Sequence, residues 1–324
     1  GKTQLYYNLY NKGKIDLNET DIHDNTLLMS ASYEGTTSII EELLKKDDCV
    51  LDTINNNGNT VLIHLCQNGL QDLVITFLEL VEKRGIEYSF DHINKDGETA
   101  FVISCKGGKD MKKVTDLLYD KECELDIKDK SGNTPFIWAV RHGNYDFATK
   151  ILSNEKYSDK AFLSASNGQG FSALLFMCKK YFTTAVTHDI PAVDVAFCEM
   201  LIDSMTDGFT GKLARGETAF MAFAWVYPDL AMKILNKYIQ AVNKKKSDKE
   251  AGASESKEEF DELIVDSDLL KFYGIDGIND HESSALLFAC SKNYEQLAFM
   301  LLKLIPTLQK STSYTALLGA IKHK

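Results

Sequence analysis

The sequence predicts an all-α solenoid of stacked helix–turn–helix units with short hairpin loops, and three observations predict it. First, one phrase recurs: a turn, often with Gly, then Thr or Ser, then an apolar helix start. The anchors Thr26, Thr60, Thr99, Thr134, Ser172, Thr218, Ser284 and Thr315 lie 34, 39, 35, 38, 46, 66 and 31 residues apart, a basal period near 34. Second, apolar residues after the anchors fall at helical spacing, as in Phe136, Ala139 and Val140 or Leu286, Ala289 and Cys290. Third, Gly35, Gly69, Gly108 and Gly143 stand between the two helices of their units, where the chain must reverse. Two short helices cannot bury both of their faces alone. Stacking neighbours completes one core built from local contacts.

The units follow in order. Residues 1–18 read as a partial unit, with Leu5, Tyr6, Leu9 and Tyr10 on a second helix and Gly13 and Asp16-Leu17-Asn18 closing it. In 21–54, Thr26, Leu28 and Ala31 begin the first helix, Gly35 breaks it, and Ile39, Ile40, Leu43 and Leu44 line the second. In 55–93 the same parts are Gly58 and Thr60, Leu62 and Leu65, Gly69, then Leu73, Val74, Phe77 and Leu78. Units 94–128 and 129–166 follow, the latter carrying the clearest copy, Asp129-Lys130-Ser131-Gly132-Asn133-Thr134-Pro135-Phe136. Units 167–214 and 215–242 come next, with Tyr181–Asp194 lengthening the link between two helices. Residues 243–259 are rich in Lys, Ser, Glu and Ala without apolar periodicity and read as a disordered insertion. Residues 260–273, with Leu263, Ile264, Leu269 and Leu270, read as an extra helix. Unit 279–309 and a partial unit 310–324 complete a single array over 1–324. The partial units predict a piece of a longer array or an incomplete cap, because Tyr6, Tyr10 and Leu317 would otherwise expose apolar surface.

These residues resemble the ankyrin-repeat family, whose pattern is roughly D-x-x-G-x-T-P-L-H-x-A-x-x-x-G followed by a second helix ending in L-L. The resemblance runs over nearly the whole chain in about eight units. Its departures are consistent: the proline after the anchor remains only at Pro135, and Met29, Ile63, Val102, Ile137, Leu175, Met221, Leu287 and Leu318 replace the family histidine. The array is a diverged one, resting on apolar stacking. The resemblance implies a non-catalytic protein–protein interaction module that binds a partner protein through its concave groove and hairpin tips. The alternative is a targeting or regulatory part of a larger protein, such as an enzyme, a channel or a secreted pathogen effector.

Composition narrows the chemistry. The 36 Lys and Arg against 47 Asp and Glu give a net charge of −11, a poor match to the clustered bases that nucleic acid demands. No stretch approaches the ~18 apolar residues of a membrane span. Seven Cys without a CxxC pair suit reduced thiols in the cytoplasm, or in a host cytosol for an effector. Cys66, Cys105, Cys178 and Cys290 share one small-residue slot and read as packing. Gly1-Lys2-Thr3 lacks the strand and upstream glycine of a phosphate loop. The histidines show no HExxH or zinc spacing, and His64 reads as a core histidine. No catalytic, cofactor-binding or metal-binding residue is predicted.

The resemblance implies that two positions at the end of each first helix meet the partner. Here these are Tyr33/Glu34, Gln67/Asn68, Lys106/Gly107, Arg141/His142, Lys179/Lys180, Trp225/Val226, Ser291/Lys292 and Lys322/His323. The sixteen positions hold six Lys or Arg, against about two expected from the overall composition. A basic stripe, densest from Lys106 to Lys180, would favour an acidic partner segment. The candidate partner-binding residues are Tyr33, Lys106, Arg141, His142, Lys179, Lys180, Trp225 and Val226.

Overall fold

In the computed structural model, each described anchor hydroxyl caps a helix. The structure describes residues 2–154, 157, 161–182, 191–205, 209, 211–250, 273, 275 and 284–304. The backbone N–H three residues on donates to Oγ of Thr26, Thr60, Thr99, Thr134, Ser172, Thr218 and Ser284 at 3.1–3.4 Å. Each cap satisfies one orphan donor of the first turn.

A second device precedes five of these caps. Five residues before the anchor stands Asp21, Asn55, Asn94, Asp129 or Asn167. Its Oδ1 accepts two backbone N–H bonds, from the residues two and four positions on, at 2.8–3.0 Å. The side chain therefore shapes the loop that delivers the chain to its cap. Leu213 occupies this place before Thr218 and cannot accept those bonds; its loop keeps the backbone bond from Leu213 N–H to Glu217 O at 2.8 Å, which the five Asx loops also make.

The chain divides into two compact units, Gly1–Ile151 and Leu152–Lys324, where the sequence reading draws one array. In the first unit the helices are α1 (Lys2–Asn11), α2 (Leu27–Glu34), α3 (Thr37–Leu44), α4 (Val61–Gln67), α5 (Gln71–Lys83), α6 (Ala100–Lys106), α7 (Lys112–Asp120), α8 (Pro135–Arg141) and α9 (Tyr145–Leu152). Inner helices α2, α4, α6 and α8 pack in succession, and outer helices α3, α5 and α7 do the same. The core is their shared apolar face, including Leu28, Phe77, Phe101, Phe136 and Phe147. Gly108, at φ 59°, turns the chain after α6. A Cβ there would stand 2.9 Å from the carbonyl oxygen of His142, so a side chain would both strain the turn and push the next repeat away.

The second unit contains α10 (Ala161–Ser164), α11 (Ala173–Phe182), α12 (Ala192–Ser204), α13 (Ala219–Val226), α14 (Pro228–Glu250), α15 (Ala285–Ser291) and α16 (Glu295–Leu304). Here α11, α13 and α15 pack as the inner row and α12, α14 and α16 as the outer. Among the described residues, extended pairing is limited to the isolated bridges Ile54–Thr60, Ser166–Ser172 and Lys212–Thr218.

Two expectations are corrected. The segment expected to be disordered from residue 243 continues α14 as far as Glu250. Lys, Glu and Ala are strong helix formers, and an anchored helix propagates through them without an apolar face. The inserted link expected at Tyr181–Asp194 is shorter, because Tyr181 and Phe182 finish α11 and Ala192 begins α12. The expected helix over 260–273, apart from Tyr273, and the last partial unit lie outside the described residues.

Candidate partner-binding groove

Three neighbouring pairs of inner helices share one contact. The side chain seven residues after an anchor reaches the side chain four residues after the next anchor.

At the start of the first unit the pair is Tyr33 and His64. Tyr33 is 68% exposed, and its ring meets the imidazole edge-on at 5.4 Å. His64 is buried between two amides: Nδ1 lies 3.2 Å from Gln67 Oε1 and Nε2 lies 3.4 Å from Asn55 Nδ2. A carbonyl oxygen can only accept and an amide nitrogen can only donate, so the ring is the neutral Nδ1–H tautomer. Burial lowers the His64 pKa, with the Gln67 bond acting in the opposite sense. The core role expected for His64 therefore comes with a fixed polar network. Asn55 Nδ2 also donates to Asn25 Oδ1 at 2.8 Å, and Asn94 Nδ2 to Asn59 Oδ1 at 2.9 Å. Backbone bonds Asn56 N–His23 O, Lys95 N–Asn57 O and Lys130 N–Asp96 O join successive hairpin tips at 3.0, 2.9 and 3.3 Å.

Two repeats later the pair is Lys106 and Trp138. The indole is only 8% exposed, and Nε1–H donates to Asp129 Oδ2 at 2.8 Å. Lys106 Nζ and Arg141 Cζ lie 5.0 and 4.7 Å from the ring centroid, within cation–π range. His142 approaches the indole at 5.3 Å between ring centroids. Glu98 is ion-paired with Lys106. The His142 pKa is lowered by burial and then by the charges of Arg141 and Lys106, which marks a locally positive field. The structure thus brings Lys106, Arg141 and His142 together.

The remaining predicted residues belong to the second unit. Lys179 Nζ sits 5.2 Å from the Phe171 ring centroid. It shares a cavity of about 380 Å3 with Phe182 and Arg215. Lys180 donates to the buried Asp194 carboxylate at 2.7 Å, and Tyr181 Oη–H donates to the same oxygen. That charge holds α11 to α12. Trp225 and Val226 are half-buried. The Trp225 ring meets Phe288 at 5.2 Å and carries Lys292 Nζ at 4.2 Å, the same contact built from two aromatics and a cation.

Sequence reasoning missed Trp138, His64 and the Asx loops as parts of this surface. The Asp or Asn five residues before five successive anchors is a signal that could have revealed the loops. The stacking of residue seven on residue four has no signal in one repeat alone. Cys66, Cys105 and Cys178 are buried and Cys290 is half-buried, and burial pushes all four thiols above their ordinary value. Among the described residues, no group of three or more His, Cys, Asp or Glu could hold a metal ion, and no helix is long and apolar enough to cross a membrane.

The family model for ankyrin repeats (3 copies) matches residues 2–89 and 78–161. No curated protein matches the chain.

Proposed function

Because the chain belongs to the ankyrin-repeat family through residues 2–161, whose fold is typically non-catalytic and generally serves protein–protein interaction, we propose that it binds an acidic segment of a partner protein along its inner helices. The observation that carries this reading is Trp138, a nearly buried indole held by Asp129 and overlaid by Lys106 and Arg141. The buried ring fixes where the two cations stand. A carboxylate arriving there would meet charges preorganised by the ring. Lys106, whose charge Glu98 partly offsets, and Arg141 are the proposed contacts. Tyr33 and His142 extend the proposed binding surface within the first unit; Lys179, Trp225 and Val226 form a separate candidate surface within the second. Lys180 contributes through its hold on α12.

The test is a binding comparison of the wild type with Arg141→Glu, after circular dichroism and a thermal melt confirm folding. An acidic reporter peptide should lose at least tenfold in affinity and should bind less tightly as salt rises. Unchanged affinity would refute the acidic-segment reading. Lys180→Glu is unsuitable, because it would set a carboxylate against the buried Asp194 and unseat the helix pair.

A further inference from the structure

We propose that the cavity at the N-terminal end of the first unit's groove receives an arginine side chain of the partner segment whose acidic residues lie against Trp138, an inference that rests on the reading above. The cavity holds about 490 Å3, and Thr3, Tyr6, Asp21, Tyr33, Glu34 and Asn57 are among its walls. Among the described residues, two carboxylates line it, and neither a lysine nor an arginine does. Thr3, on α1, is 2% exposed, and its Oγ1 has no hydrogen-bond partner among the described residues. A buried hydroxyl left without a partner costs free energy unless something arrives to meet it.

Guanidinium chemistry fits these walls. A planar cation with five N–H donors can bond carboxylate, hydroxyl and amide oxygens at once and stack on a phenol ring. Tyr33 offers an exposed face beside Glu34 at the end of α2. Asp21 Oδ1 is taken by the loop amides, which leaves Glu34 as the main counter-charge. A neutral polar ligand would use the amides and leave both carboxylates uncompensated. A compact ammonium would satisfy fewer of the acceptors.

The field along the groove has the matching polarity. Burial, then Glu19 and Asp21, raises the pKa of the Tyr6 phenol, while Arg141 and Lys106 add to burial in lowering that of His142. One end disfavours a new negative charge and the other a new positive one. A segment with a basic end and an acidic end would thereby be held in a single direction.

The test uses the full chain and two fluorescein-labelled peptides. Each has arginines at one end and glutamates at the other across a Gly-Ser spacer, in both sequence orders. In the second peptide citrulline replaces arginine, keeping the shape and removing the charge. The arginine peptide should bind at least tenfold more tightly. Glu34→Gln should reduce that advantage while leaving the citrulline peptide unchanged, Tyr33→Ala should reduce it as well, and Arg141→Glu should weaken both peptides. Equal binding of the two peptides, or an advantage that survives Glu34→Gln and Tyr33→Ala, overturns the arginine pocket. If the advantage persists and Arg141→Glu changes neither peptide, the acidic-segment reading fails and the pocket stands. No binding of either peptide up to millimolar concentration overturns both.

Discussion

The pairs Tyr33–His64 and Lys106–Trp138 occupy the same two places of the repeat, each with a buried ring nitrogen bonded to the Asx side chain of its own loop, and they differ in charge. The first joins an exposed phenol to a buried neutral imidazole tied into amides. The second lays a cation over a buried indole tied into a carboxylate. The capping hydroxyls and Asx loops around them are alike. The difference teaches that the frame and the recognition surface are separable. The backbone bonds that build each repeat leave two side chains per neighbouring pair open to variation, and those two set the local charge.

The sharpest way to break this comparison is to remove the platform at one end. Trp138→Ala should cost about 3–5 kcal/mol, the range for deleting a large buried aromatic, read as a lower midpoint in urea denaturation. Tyr33→Ala should fall within about 0.5 kcal/mol of wild type in the same measurement, as for an exposed surface residue. Comparable losses at both positions would mean that the pairs are equivalent in structure after all.

A smaller effect tests the shared frame. Thr60→Val and Thr134→Val each delete one cap and should each cost about 1 kcal/mol. Near-equal shifts in the urea midpoint support one frame beneath two surfaces. A clear inequality would show that the surface pair feeds back on its own cap.

The smallest effect concerns protons. His64 is held below its ordinary value by burial, while the unfolded imidazole titrates near ~6.5. Between those two values the unfolded chain binds more protons than the native one. Stability present above pH ~6.5 therefore falls as pH drops through that window. His142 is shifted in the same direction and adds to the fall. His64→Gln should flatten this dependence in urea titrations above and below the window, and an unaltered slope would assign the protons elsewhere.

Much of the frame was legible because its chemistry demands particular residues. A hydroxyl cap requires Thr or Ser, and seven of the eight anchors fall on described residues and cap as the period implies. The site was legible only in part. Lys106, Arg141 and His142 could be picked out by position, whereas Trp138 looked like one more apolar helix residue. Its role depends on a lysine from the preceding repeat and an aspartate from its own loop, and no local pattern reports either. Lys180 shows the opposite failure: its position matches the groove column, but Asp194, across the link to the next helix, claims its charge. The helix beyond residue 243 escaped because periodicity detects buried faces, and a helix without one leaves only composition to read.

The hairpin tips carry a mechanical consequence. Each is tied to the next by one backbone bond, His23 to Asn56, Asn57 to Lys95 and Asp96 to Lys130. Tension applied along the first unit would load these ties in series and release them one at a time, like stitches in a seam. A peptide spanning Tyr33 to Trp138 would lie across several stitches and act as a splint. Its binding should therefore raise the force at which the first unit begins to unravel.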